Sequence, residues 1–142
     1  MKHERTLANV LLVEDEAWIR ELWTQELEDD HAGYRIIAVS PASAALPLLM
    51  SGGLLAAIID IGLPEMSGEA LIQMTRIKDP FLPMLAVTGF DAAHYQHLSG
   101  QGVRVLQKPF RTSWLLFNLK AMLAQQPGVD HRGNGLLRHA AH

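Results

Sequence analysis

The sequence predicts a single α/β domain built on an open, mainly parallel sheet with helices packed over it. Three observations predict this class. Five short apolar runs rich in β-branched residues punctuate the chain, at residues 10–13, 35–39, 56–61, 84–88 and 103–106. Most of them are apolar on consecutive rather than alternate positions, the pattern of parallel strands buried on both faces. Segments with helical spacing separate the runs, each long enough for a right-handed crossover. The 142 residues, 49% hydrophobic and 19% charged, match the size and apolar content of one domain with one real core.

In chain order, VLLV at residues 10–13 is the first strand. Residues 17–28 place Ile19, Leu22, Trp23 and Leu27 at steps of three and four, which predicts the first helix. After the strand at 35–39, Ser40 can cap a second helix over 41–50 and Pro41 can take its first position. Pro47 should kink or break that helix, and Gly52-Gly53 ends it. The strand at 56–61 precedes a helix over 67–77 with Ala70, Leu71, Met74 and Ile77 on one face. The strand at 84–88 precedes a weaker, more polar helix over 91–98 that stops near Gly100. The strand at 103–106 leads to a helix over 112–124 with Leu115, Leu116, Leu119 and Leu123 in register. Residues 126–142 carry a proline, three glycines and no sustained periodicity; they read as a flexible end to a domain of residues 1–125. These patterns leave open which of the two common doubly wound strand orders is used.

Composition excludes several classes. With no cysteine, disulfides, thiolate nucleophiles and Cys-ligated zinc are impossible. A net charge of −3 gives no broad electrostatic reason to bind nucleic acid. The first apolar run is too short for a signal peptide, and no stretch approaches the ~20 residues that span a bilayer. The chain therefore reads as soluble and cytoplasmic, without a membrane partner. No GxGxxG or Walker A pattern supports nucleotide binding. His94 and His97 stand three apart without a third ligand beside them, and read as a solvated helix face.

In open parallel sheets ligands bind at the carboxyl ends of the strands. Those ends carry Glu14-Asp15-Glu16, Asp60, Thr88-Gly89 and Lys108-Pro109, all opening on one edge if the sheet is parallel. Each has an ordinary reading alone: acids at a helix start, a strand-end threonine, a loop lysine. Together they make a charge problem. Carboxylates held in one crevice repel, and burial raises the cost, so some protonate or a cation neutralises them. A hard divalent cation with oxygen ligands, such as Mg²⁺, suits that set. Asp60 follows the apolar run AAII, where an uncompensated charge is expensive. Lys108 supplies a compensating positive charge that can also hold a phosphoryl oxygen.

This set resembles the response-regulator receiver domain of two-component signalling, over about residues 9–125. VLLVEDE is similar to that family's first strand and acidic pair, and IIDIGLPEMSGEAL to its phosphorylation-site segment. AVTGF supplies its Thr followed by a small residue, and VLQKPF its Lys-Pro. The resemblance implies a flavodoxin-like, doubly wound, five-stranded parallel sheet of order 2-1-3-4-5 with five helices. It implies Asp60 as phosphoacceptor, Asp15 and Asp60 as direct Mg²⁺ ligands, and a metal contact from the Gly62 backbone carbonyl. Glu14 then completes the acidic pair through a water. Thr88 receives the phosphoryl group, and Lys108 pairs first with Asp60 and then with phosphoryl oxygens. A cis Lys108-Pro109 bond belongs to the same pattern.

The implied partners are a histidine kinase or histidine phosphotransfer protein and an unknown downstream protein. The only chemistry implied is the chain's own phosphotransfer and dephosphorylation, with a shift at the fourth helix, fifth strand and fifth helix. One departure concerns Val105, where the family often has Tyr or Phe; that bears on aromatic gating, not on phosphorylation. A pseudo-receiver that binds partners without switching is the competing reading, motivated by Val105 and Pro47. An excised receiver from a larger regulator is another; the starting Met and short tail favour the stand-alone form. A hydrolytic phosphatase using Asp60 would need a second Asp where Gly62 stands.

Overall fold

The structure, a computed structural model, describes residues 8–28 and 33–125. The tail after residue 125, with Leu136-Leu137 and the reading of it as a flexible end, lies outside the described residues. Five parallel strands form one sheet in the order β2-β1-β3-β4-β5. They are β1 (Ala8–Val13), β2 (Tyr34–Val39), β3 (Leu54–Asp60), β4 (Met84–Thr88) and β5 (Val103–Gln107). Helices α1 (Ala17–Leu27), α2 (Ala42–Ser51), α3 (Gly68–Lys78) and α4 (Thr112–Ala124) form four of the five helical segments, and a 3₁₀ segment (Ala92–Gln101) forms the fifth.

The consecutive apolar runs mean what they should. β4 is buried throughout, and β1 and β3 are buried over their last four and five residues. The edge strands β2 and β5 carry exposed positions. Alternate residues feed two cores. Leu11, Val13, Ala57, Ile59, Met84 and Ala86 meet Leu49 of α2, Leu71 and Ile72 of α3, and Leu98. On the other face Val10, Leu12, Ile58, Leu85 and Val87 meet Trp23 and Leu27 of α1 and Leu115 and Leu119 of α4. The sheet is thus covered on both sides, and β1 lies between β2 and β3, where the winding reverses.

Four local expectations are corrected. Pro41 is the N-cap of α2 rather than its first helical residue, so Ser40 does not cap it; both Ser40-Pro41 and Lys108-Pro109 are cis. α2 runs on through Pro47 to Ser51. Pro47 is exposed, while Ala42, Ala45 and Leu49 bury against the sheet and hold the helix despite the missing backbone donor. The inner face of α3 is Gly68, Leu71, Ile72 and Thr75; Met74 and Ile77 face solvent. Gly68 fixes that rotation, because a Cβ there would meet the Asp60 carbonyl oxygen at 2.2 Å. The fourth helical segment is 3₁₀, with non-helical Tyr95 inside it, and it runs to Gln101, near the expected stop, capped by left-handed Gly102 (φ 75°). Leu98 is its one buried residue, too little to fix an amphipathic α-helical face.

Candidate functional site

Strand register assembles the site. Val13 pairs with Ile59, and Asp60 pairs with Val87. Glu14 therefore leaves β1 beside the end of β3, and Thr88 ends β4 one step beyond. The Lys108 amide donates to the Thr88 carbonyl at 2.8 Å, and that of Ile61 to the Val87 carbonyl at 2.8 Å. Four strand ends are thereby stitched into one rim. The short approach of Gly68 to Asp60, with its amide donating to the Ile61 carbonyl at 2.9 Å, seats α3 directly behind the Asp60 backbone. Ser67 caps that helix, its hydroxyl accepting from the Ala70 amide at 3.1 Å.

The side chains meet as charge demands. Carboxylate oxygens of Glu14, Asp15 and Asp60 all lie within 4.8 Å of one another. Asp15 is exposed at the mouth, and the Asp60 side chain keeps 8% of its surface. Asp60 Oδ1 accepts from the Gly62 amide at 2.9 Å, while Oδ2 faces Lys108 Nζ at 3.4 Å. Lys108 Nζ also stands 3.8 Å from Glu14 Oε1. Thr88 is buried; its oxygen accepts from the Phe90 amide at 2.9 Å, which leaves its own proton free to donate.

Glu14 is the residue sequence reasoning underweighted. The acids do not form the first turn of α1: Glu16 is its N-cap and no acid lies in that turn. Glu14 is fully buried. Its Oε2 accepts from the Glu16 amide at 3.0 Å, and Arg20 donates to its backbone carbonyl at 2.6 Å. Its Oε1 has no hydrogen-bond partner. Burial pushes the Glu14 carboxyl up to about 7, helped by the charge of Asp60 and opposed by the Glu16 amide and Lys108. The missing signal was depth, since only the register shows that Glu14 points beneath the rim while Asp15 stays outside it.

The donor set fits a small hard cation. Three carboxylates from two strand ends offer oxygens within 4.8 Å of one another, against the about 4.2 Å that separates opposite ligands of one Mg²⁺. The orphaned Oε1 of Glu14 is a buried acceptor that such an ion, or a water bound to it, would satisfy. The two histidines set aside earlier stay apart from this rim: His97 pairs with Glu69 at 2.5 Å, and both are surface residues. Among the described residues no helix is long and apolar enough to cross a membrane.

Comparison with known proteins agrees with this geometry. The family model for the response regulator receiver domain matches residues 10–120. The response regulator protein FleR of Pseudomonas aeruginosa is 33% identical over 137 residues, covering 94% of this chain and 28% of FleR. The virulence transcriptional regulatory protein PhoP of Salmonella typhimurium is 29% identical, covering 87% of this chain and 55% of PhoP. The chain thus spans between about a quarter and just over half of these curated relatives. A CheY-like receiver domain protein from Methanospirillum hungatei superposes with a TM-score of 0.75 at 26% identity, covering 85% of this chain and 97% of that one. The response regulator protein TrrA of Thermotoga maritima, solved in complex with Mg(2+)-BeF, superposes at 0.71 with 27% identity, covering 82% and 99%. With the family model matched over residues 10–120 and solved neighbours sharing the fold, this chain belongs to the response regulator receiver domain family.

Proposed function

We propose that this chain is a phosphoacceptor signalling domain that takes a phosphoryl group on Asp60 from a histidine kinase or histidine phosphotransfer protein in the cytoplasm. The observation that carries the reading is the placement of the Asp60 carboxylate between Lys108 and two further acids at an open strand-end rim. Asp15 and Asp60 would hold Mg²⁺ directly, with the Gly62 carbonyl, and Glu14 through a water. The ion would supply charge neutralisation for the transferred group.

The chain's own residues do the rest. The Gly62 amide holds one oxygen of Asp60 and so fixes the orientation of the carboxylate. The Asp60 oxygen forms the new O–P bond as the N–P bond of the phosphohistidine donor breaks, and the electron pair leaves with the imidazole. Lys108, already beside Asp60, pairs with phosphoryl oxygens as charge builds. The new group adds roughly −1.5 to −2 charge to the rim. Thr88 can turn its free proton toward it, drawing the β4 end and the following segment inward. Water later hydrolyses the acyl phosphate. Residues 1–125 act as the receiver, and the downstream protein is recognised through the shifted surface.

The test is intact-mass spectrometry after incubation with a small acyl phosphate donor. One added phosphoryl mass is expected with Mg²⁺, and none with a chelator or in Asp60→Asn. No added mass in the wild type, or the same mass in Asp60→Asn, would overturn the reading.

A further inference from the structure

Lys108 is bounded by acids on one side and by an aromatic ring on another. Its Nζ lies 6.0 Å from the centroid of the Trp23 ring, in addition to its contacts with Asp60 and Glu14. The ring is itself held in place. Phe110 stacks on it at 5.7 Å with an interplanar angle of 19°. Trp23 is only 6% exposed and packs in the core with Leu27, Leu106 and Leu115. It is therefore a fixed wall, whereas the Lys108 side chain, 27% exposed on a flexible stem, is not fixed by its own geometry. A cavity of about 230 Å³ adjoins both side chains, bordered by Lys108 itself together with Trp18, Leu22, Trp23, Pro109 and Phe110. That space is an alternative place for the Lys108 ammonium, away from the acids.

We infer that Trp23, braced by Phe110, is a positioning residue that keeps the Lys108 ammonium on the Asp60 side of its stem. The indole face attracts the nearby cation, and this attraction competes with the open space that Lys108 also borders. The inference rests on the phosphoacceptor reading of Asp60, because the position it protects is the one that meets phosphoryl oxygens. Trp23 touches neither Asp60 nor the transferred group, so it acts only through Lys108.

The experiment measures Mg²⁺-dependent phosphorylation by acetyl phosphate in the full chain. Trp23→Leu keeps an apolar side chain without a ring and should slow the reaction about fivefold, whereas Trp23→Phe keeps a ring and should lose less than about twofold. In a Lys108→Ala background Trp23→Leu should cost nothing further. Equal losses in the two backgrounds, or no loss in the first, would overturn the inference. A second reading does not need phosphorylation or the leucine variant. The chain has three tryptophans, so Trp18→Phe with Trp114→Phe leaves Trp23 as the sole reporter. Its emission should shift on adding Lys108→Ala, and unchanged emission would overturn the inference. Should the wild type accept no phosphoryl group, the phosphoacceptor reading fails, and the emission result still decides whether Trp23 holds Lys108.

Discussion

Replacing Glu14 by glutamine should stabilise the protein at alkaline pH when no divalent cation is present. Glu14 is fully buried, one of its oxygens has no partner, and burial raises its carboxyl from 4.5 to about 7. A raised carboxyl means that the folded state keeps a proton that the unfolded chain has already released. Stability from this group is therefore intact below about pH 4.5, is lost as pH rises toward 7, and stays lost above it. At about 1.4 kcal/mol for each tenfold in proton affinity, the loss is about 3 kcal/mol.

Glutamine avoids that loss. It can keep an oxygen for the Glu16 amide, and its NH₂ brings no charge into the buried position. Urea unfolding of both proteins in chelator, from about pH 4.5 to 8, isolates the effect as a difference between them. The variant should be more stable by about 3 kcal/mol at the upper end, and the gap should close at the lower end. Added Mg²⁺ should reverse the order, because the cation favours the charged acid. A variant no more stable than wild type at about pH 8 in chelator, or a gap independent of pH, would refute the reasoning.

Three further outcomes are expected. Gly68→Ala places a Cβ 2.2 Å from the Asp60 carbonyl oxygen and 2.7 Å from Ile61 Cα, so urea unfolding should show a loss of about 1–3 kcal/mol or more, together with slower phosphorylation. Pro47→Ala restores a backbone donor at an exposed position inside α2 and should stabilise the fold by about 1–3 kcal/mol, read as a higher urea midpoint with an unchanged slope. Lys108→Met removes the cation that faces both the Asp60 and the Glu14 carboxylates, and should slow phosphorylation by acetyl phosphate about tenfold or more at saturating Mg²⁺.

The sheet was legible because parallel strands buried on both faces leave continuous, β-branched apolar runs such as residues 10–13 and 56–59. Strand order was not in those runs; it came from the resemblance. The rim was legible as a set of residue types at strand ends, since a parallel sheet sends every such end to the same edge. What could not be read were rotations and depths. Counting apolar residues put Met74 and Ile77 on the inner face of α3, but the close approach of Gly68 to Asp60 turns that face outward, and a glycine carries no weight in such a count. Pro47 was expected to disrupt α2, yet three buried neighbours outweigh one lost hydrogen bond. The 3₁₀ segment was read as a weaker, more polar helix, and the structure gives that weakness a form. Glu14 and Asp15 are adjacent in sequence and opposite in environment, a distinction set by strand pairing alone.

The most direct test is chemical identification of the phosphorylated atom's residue. An acyl phosphate can be trapped by borohydride reduction, which converts the modified aspartate to homoserine. After reaction with a small phosphodonor and Mg²⁺, peptide sequencing by mass spectrometry should find homoserine at position 60 and nowhere else. Homoserine at another aspartate, or an intact Asp60 in protein that has gained a phosphoryl group, would contradict the account.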